Sequence, residues 1–127
     1  IEKIKTLSKW RIKKAFNSDI FIADSFFNIL SAGSGSNPHT HLNVLDKNIG
    51  LNLASQKHVF QYYLRVGDQS CSEPGIYKLY EPNEEILPSE GMVIIIPAGR
   101  RHSAVYDGKT DRVMIGINFY TLWRFLY

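Results

Sequence analysis

Short apolar and aromatic runs alternate with clusters of turn-forming residues along most of the chain, and this pattern predicts short β-strands. β-Branched and aromatic side chains favour strands, and Gly, Pro, Asn, Asp and Ser favour the turns between them. The clearest strand candidates are residues 20–30, 58–67, 75–82 and 92–96, a polar strand that opens on His102, and an apolar strand that opens on Arg112. In residues 58–67, strict alternation puts Tyr63 on the face opposite to Tyr62.

The remaining segments are predicted as one helix and two long loops. Ile1, Ile4, Leu7 and Arg11 recur at helical spacing, which predicts a short N-terminal helix, although residues 12–16 also fit an edge strand. Residues 31–38, SAGSGSNP, have the composition of a flexible loop, and residues 42–57 lack a clean period and contain many turn formers. With about eight strand candidates and at most one helix, the chain is predicted to be all-β, a single jelly-roll domain over residues 1–127.

Composition and charge narrow the class of protein. The 127 residues include 44% hydrophobic and 21% charged side chains, which is ordinary for a globular domain. A single cysteine, Cys71, excludes an intrachain disulfide and fits a reducing, cytoplasmic setting. No apolar run approaches a membrane span and no signal peptide pattern is present, although the first residue, Ile1, is not Met and the chain fits a fragment of a longer protein.

The two ends of the chain have distinctive compositions. Lysines and arginines are concentrated in the first 14 residues, and a solvated face explains them better than an anionic partner. The C-terminal aromatic residues Trp123, Phe125 and Tyr127 are candidates for burial in a homodimer.

Three of the four histidines lie where predicted strands begin after turns, and they form the candidate metal site. His39 and His41 are two residues apart, so on a strand both imidazoles point to one face. His102 follows the turn after residues 92–96 and completes a three-nitrogen set that suits iron, zinc, copper or nickel. The alternative is that the histidines are incidental surface residues of a non-catalytic β-barrel.

Other polar residues within apolar strands are candidates for the same pocket. Arg112 can hold a carboxylate through two parallel hydrogen bonds, although a surface pair with Asp107 or Asp111 is the alternative. Asn28 and Asn118 lie inside apolar strands, and a buried amide needs hydrogen-bond partners.

The ordered motifs resemble the iron(II)/2-oxoglutarate-dependent oxygenases, which are built on a double-stranded β-helix, and in particular a small branch found in bacteria and phages. The matching stretches are SFFNIL, PHTH, FQYYL, LPSEGMVIIIPAGRRH, Arg112 ten residues after His102, and INFY. The resemblance spans roughly residues 25–120 and rests on the order of the motifs, since each is short.

The resemblance implies an Fe(II) and 2-oxoglutarate-dependent dioxygenase that hydroxylates an unidentified substrate with oxygen. It implies His39 and His102 as iron ligands, Arg112 as the partner of the distal 2-oxoglutarate carboxylate, Tyr63 as a hydrogen-bond donor to that carboxylate, and Asn28 and Asn118 as lining residues. The family motif has a carboxylate where this chain has His41. We expect His41 to be the third ligand, with Asp46 in the following loop as an alternative.

The rival resemblance is to the cupins, which share the fold and need no 2-oxoglutarate. Gly91, Pro97, Gly99 and His102 fit their second motif, but Tyr106 stands where that motif has Asn. The first motif needs a Glu four or five residues after HxH; the nearest acid here is Asp46, and the glycine spacing of the motif then fails. The long stretch between the motifs and the position of Arg112 favour the oxygenase.

Overall fold

Two four-stranded antiparallel sheets form the protein, as a computed structural model of residues 2–122 shows. One helix precedes the strands. Its bounds and those of the strands are α1 Glu2–Phe16, β1 Asp19–Leu30, β2 Ser34–His39, β3 Lys57–Arg65, β4 Tyr77–Leu79, β5 Glu84–Ile86, β6 Val93–Pro97, β7 His102–Tyr106 and β8 Arg112–Leu122. The strand orders are β1-β8-β3-β6 in the major sheet and β2-β7-β4-β5 in the minor sheet. This arrangement confirms the predicted double-stranded β-helix.

The inner faces of the two sheets share one core. The alternation predicted for β3 is confirmed, because Val59 and Tyr63 are buried in the core between the sheets. Tyr77 and Tyr106 enter this core from the minor sheet and Met114 from the major sheet.

A second apolar layer separates α1 from the outer face of the major sheet. Ile4, Ser8, Ile12 and Phe16 recur every four residues on the face of α1 that is buried or partly buried, and Phe60 of β3 belongs to the same layer. The predicted helix is therefore confirmed over residues 2–16 and the alternative of an edge strand is wrong. Leu7, which the spacing put on the buried face, is 54% exposed, because the helix turns Ser8 and Ile12 toward the sheet instead.

Residues 34–39 form a strand, β2, where a flexible loop was predicted. The strand pairs with β7, and its register shifts between Ser36 and His39, which accommodates Pro38 in an edge strand. Gly35 has φ +151°, and a Cβ there would collide with the Ala104 carbonyl. The loop-like composition thus serves close strand pairing.

The prediction of an irregular segment after His41 is largely confirmed. Residues 40–56 contain turns and one 3-10 turn, Ile49–Leu51, before β3 begins at Lys57. The short strand β5 was not predicted, because it is an edge strand that carries two glutamates. No helix within residues 2–122 combines the length and the apolar character that crossing a membrane requires. The aromatic tail predicted at a homodimer interface, residues 123–127, lies outside the described part of the chain.

Candidate metal centre

The pairing of β2 with β7 brings the three predicted histidines together at one end of the minor sheet. His39, the last residue of β2, is directly opposite His102, the first residue of β7. His41 follows two residues later, where its backbone N–H donates to the Ala98 carbonyl at 2.9 Å. One nitrogen of each imidazole lies within 4.8 Å of the others.

Two of the imidazoles are oriented by backbone carbonyls. His39 Nδ1 is 2.8 Å from the Asn37 carbonyl and His102 Nδ1 is 3.0 Å from the Arg100 carbonyl. Because a carbonyl only accepts, each Nδ1 carries the proton in the neutral ring and each Nε2 keeps its lone pair. A protonated Nδ1 on a fixed acceptor is the arrangement in which histidine binds a metal through Nε2.

The surroundings of His41 and His102 lower the pKa of both imidazoles. Burial lowers the pKa of His102 to about 4, and the positive forms of His39 and His41 lower it further, against a hydrogen bond to Arg100 that raises it. Burial likewise lowers the pKa of His41, with His39 acting in the same direction and the Asn118 side chain opposing it. Neutral imidazole is the form that coordinates a metal.

The donor set fits a divalent first-row metal ion. His41 Nε2 and His102 Nε2 are 3.2 Å apart, the separation that two metal–nitrogen bonds of about 2.1 Å give at an angle near 100°. Imidazole nitrogens suit iron, nickel, copper and zinc. Among residues 2–122 the metal-binding group consists of the three histidines alone, with no acidic side chain.

Asp46, the alternative third ligand, is engaged elsewhere. One of its carboxylate oxygens accepts from Lys57 Nζ at 2.7 Å and from the Asn43 backbone N–H at 2.9 Å, and the other accepts from the Tyr120 hydroxyl. Burial alone would raise the pKa of Asp46, but these hydrogen bonds outweigh it and lower the pKa. Asp46 therefore secures the loop after His41, and the cluster has no acid in its place.

The histidines line a cavity of about 230 Å³ between the sheets. Asn28 and Tyr63, both predicted from the sequence, also line it. Gln61 and Tyr77 line it as well and were not predicted to do so. The Tyr63 hydroxyl donates to Gln61 Oε1 at 3.3 Å, and Gln61 Nε2 donates to the Tyr77 hydroxyl at 3.4 Å.

A sequence signal existed for only one of the two residues that were missed. Gln61 interrupts the apolar inner face of β3, where it alternates with Val59 and Tyr63. Tyr77 stacks on His102 at 5.3 Å between ring centroids, but nothing in its short strand distinguishes it from a core tyrosine.

The structure does not bring Arg112 into the cavity that the histidines line. Its guanidinium, on a residue that is 1% exposed, donates to the carbonyls of Val66 at 3.0 Å, Gly75 at 2.6 Å and Pro74 at 2.7 Å. These carbonyls belong to the irregular connection between β3 and β4, where the guanidinium provides their hydrogen-bond donors. Its central carbon is 5.8 Å from the centre of the Tyr63 ring, which does line the cavity.

Asn118 also lies outside the set of cavity-lining residues. It is 8% exposed on β8, and its amide nitrogen donates to Asp24 Oδ1 at 2.7 Å. Its polar side chain next to His41 raises the pKa of that histidine.

Comparison with known proteins shows similarity of the fold to solved structures, without a match in sequence. No protein-family model matches the sequence, and no curated protein matches it either. Among solved structures, the chain is similar to an oxidoreductase of the 2OG-Fe(II) oxygenase family from Burkholderia pseudomallei, with a TM-score of 0.68 and 15% identity over 94% of this chain. The chain spans 55% of the length of that protein.

Two further solved structures share the fold to different extents. A viral collagen prolyl hydroxylase from Paramecium bursaria Chlorella virus-1 matches with a TM-score of 0.70 and 11% identity, over 97% of this chain and 73% of that one. A predicted oxalate decarboxylase from Thermotoga maritima matches with a TM-score of 0.51 and 20% identity, over 87% of this chain and 74% of that one. The protein thus has the fold that members of the 2OG-Fe(II) oxygenase family share, and it superposes on them more fully than on this decarboxylase.

Proposed function

We propose that the protein is an Fe(II)- and 2-oxoglutarate-dependent dioxygenase that hydroxylates a C–H bond of its substrate. The observation that carries this proposal is the set of three imidazoles that present nitrogens within 4.8 Å of one another to a cavity between the sheets. The similarity of the fold to that of known oxygenases supports it.

In this proposal His39, His41 and His102 hold the iron, and the rest of the cavity binds the organic molecules. Bound iron would supply the activation of oxygen, of which one atom enters the substrate as hydroxyl while 2-oxoglutarate becomes succinate and carbon dioxide. Burial raises the pKa of Tyr63 to about 12, so its hydroxyl keeps its proton and can donate to a carboxylate. Asn28 offers an amide in the same cavity.

Arg112 is the proposed charged anchor of the distal carboxylate, on the strength of the sequence resemblance. Three of its five N–H groups already donate to backbone carbonyls. The remaining two could reach a carboxylate only if the cavity extends past the Tyr63 ring when the co-substrate binds. Cytoplasmic location and homodimerisation remain predictions from the sequence.

The occupied guanidinium of Arg112 favours a second candidate function. A cupin-type metal-binding protein or metalloenzyme would use the three histidines without 2-oxoglutarate and would need no charged anchor in the cavity. The metal site is common to both candidates, so metal binding alone does not separate them.

An anaerobic titration of the Fe(II)-loaded protein with 2-oxoglutarate tests the first candidate. Chelation by the keto and adjacent carboxylate oxygens gives a weak visible charge-transfer band, and we expect this band to saturate. Glutarate, which has both carboxylates but no keto group, is the matched control and should give no band. Bound iron without a band would transfer the proposal to the cupin-type function, and failure to bind iron would refute both.

A further inference from the structure

The three histidines differ in what holds their rings. His39 and His102 each donate from Nδ1 to a backbone carbonyl two residues earlier. His41 has its Nε2 3.2 Å from His102 Nε2, and no backbone carbonyl within residues 2–122 accepts a hydrogen bond from its Nδ1. A ligand imidazole whose second nitrogen has no acceptor is poorly oriented for a metal.

Asn118 has an acceptor atom that lacks a hydrogen-bond donor within residues 2–122. Its Oδ1 is the buried side-chain oxygen that lacks a hydrogen bond among the described residues, and an unsatisfied buried acceptor destabilises the protein. The Asn118 side chain is at the same time a polar neighbour of the His41 ring. One ring therefore lacks an acceptor beside an amide oxygen that lacks a donor.

Asp24 fixes which way the amide faces. The Asp24 carboxylate only accepts, so the amide atom 2.7 Å from its Oδ1 must be the nitrogen of Asn118. Oδ1 then faces away from Asp24. The sheet register supports this chain of contacts, because Asp24 and Asn118 are directly paired across β1 and β8 next to a register shift in β1.

We infer that Asn118 is the positioning residue of the third metal ligand, with its Oδ1 accepting from His41 Nδ1–H in the metal-loaded protein and Asp24 holding the amide in place. The inference rests on the metal site of the proposed function. In physical terms, the Asp24 carboxylate polarises the amide, and the amide makes the His41 imidazole a more basic ligand. The Asp24 carboxylate would thus act on the metal indirectly, through Asn118 and His41, at the ligand position where the resembled family has a carboxylate.

Zinc binding and NMR of the zinc-loaded protein test this inference, since Zn²⁺ is diamagnetic and binds imidazole. With histidine ¹⁵N-labelled, we expect the wild-type protein to show three slowly exchanging Nδ1–H signals, one for each ligand ring. In Asn118→Leu the His41 signal should be lost and the signals of His39 and His102 retained. Zinc affinity should fall about 10- to 100-fold, the range for loss of a hydrogen-bond partner of a ligand histidine.

Two further variants separate positioning from folding. Thr121 is another buried polar residue of β8, and its hydroxyl donates to the Gln56 carbonyl at 3.2 Å. Thr121→Val removes this hydroxyl and should leave zinc affinity and all three signals unchanged. Asp24→Ala alters an exposed residue, so it should fold and still weaken zinc binding several-fold with a shift of the His41 signal alone.

The outcomes separate this inference from the proposed function. Wild-type protein that binds no zinc would overturn both, because the metal site itself would be absent. Wild-type binding that Asn118→Leu and Asp24→Ala leave intact, with the His41 signal in place, would overturn the role of Asn118 and leave the metal site standing.

Discussion

The histidine cluster, which is partly buried, and the surroundings of the buried Arg112 are both polar, yet their hydrogen-bonding capacity differs. At the histidines, one nitrogen of each ring lies within 4.8 Å of the others beside a cavity, while the Nδ1 atoms of His39 and His102 are paired with backbone carbonyls. Around Arg112 the guanidinium donates to three carbonyls. A site prepared for a ligand keeps unused capacity beside a void, whereas a structural polar cluster satisfies its groups internally. The two clusters can therefore be told apart by what each loses on mutation.

The largest expected effect is the loss of metal binding in His102→Ala. Two ligands remain in this variant, and we expect affinity for Fe(II) or Zn²⁺ to fall by about 1,000-fold or more, because each imidazole contributes a direct metal bond. The apo protein should keep its fold. Isothermal titration calorimetry with Zn²⁺ measures this loss of affinity.

His58→Ala is the matched control for this change. His58 also places Nδ1 next to a carbonyl two residues earlier, that of Gln56 at 3.1 Å, but it is absent from the metal-binding group. Its removal should leave metal affinity unchanged. Equal losses in the two variants would contradict the assignment of the centre.

Arg112→Met should have the opposite profile, with a large loss of stability and little change in metal affinity. The substitution keeps an apolar stem but leaves the carbonyls of Val66, Pro74 and Gly75 without their donors. Such buried, unsatisfied groups cost about 3 kcal/mol or more in total. Urea unfolding of the apo protein measures this. A variant that unfolds like wild type but no longer binds 2-oxoglutarate would assign Arg112 to the ligand instead of the fold.

Local sequence patterns predicted the parts of this comparison that depend on local geometry. The period of two along β3 placed Tyr63 on the inner face. His41 lies beyond the last residue of β2, so its place beside His39 depends on the path of the chain after the strand as well as on the HxH spacing. The hydrogen bonds of Arg112 could not be predicted in this way, because its acceptors lie 37 to 46 residues away in the connection between β3 and β4. The contact between Asp24 and Asn118 spans 94 residues and depends on sheet register. The strand β2 was missed because its glycine and two serines, which allow close pairing with β7, are typical of a loop when the segment is considered in isolation.

The smallest expected effect is a difference between two buried tyrosines, of which Tyr77 lines the cavity and Tyr106 lies beside Arg112. The Tyr106 hydroxyl makes two hydrogen bonds: it accepts from the Asp68 backbone N–H at 2.8 Å and donates to the Thr110 carbonyl. Tyr77 lines the cavity, and its hydroxyl accepts one long bond of 3.4 Å from Gln61. We expect Tyr106→Phe to cost about 1–2 kcal/mol in the free energy of unfolding and Tyr77→Phe to cost about 0.5 kcal/mol, since only the first removes the partner of two backbone groups, the Asp68 N–H and the Thr110 carbonyl.

Urea midpoints of the two apo variants, compared at equal m-values, give this difference directly. The substitutions are chemically identical and both rings are at most 2% exposed, so the transfer of an aromatic ring cancels between them. Equal costs would mean that the Tyr77 hydroxyl is as fully engaged as that of Tyr106, and the cavity wall beside His102 would then lack the spare capacity that separates a binding site from a structural cluster. A cost for Tyr77→Phe that appears only when metal and 2-oxoglutarate are bound would instead place its hydroxyl on the ligand.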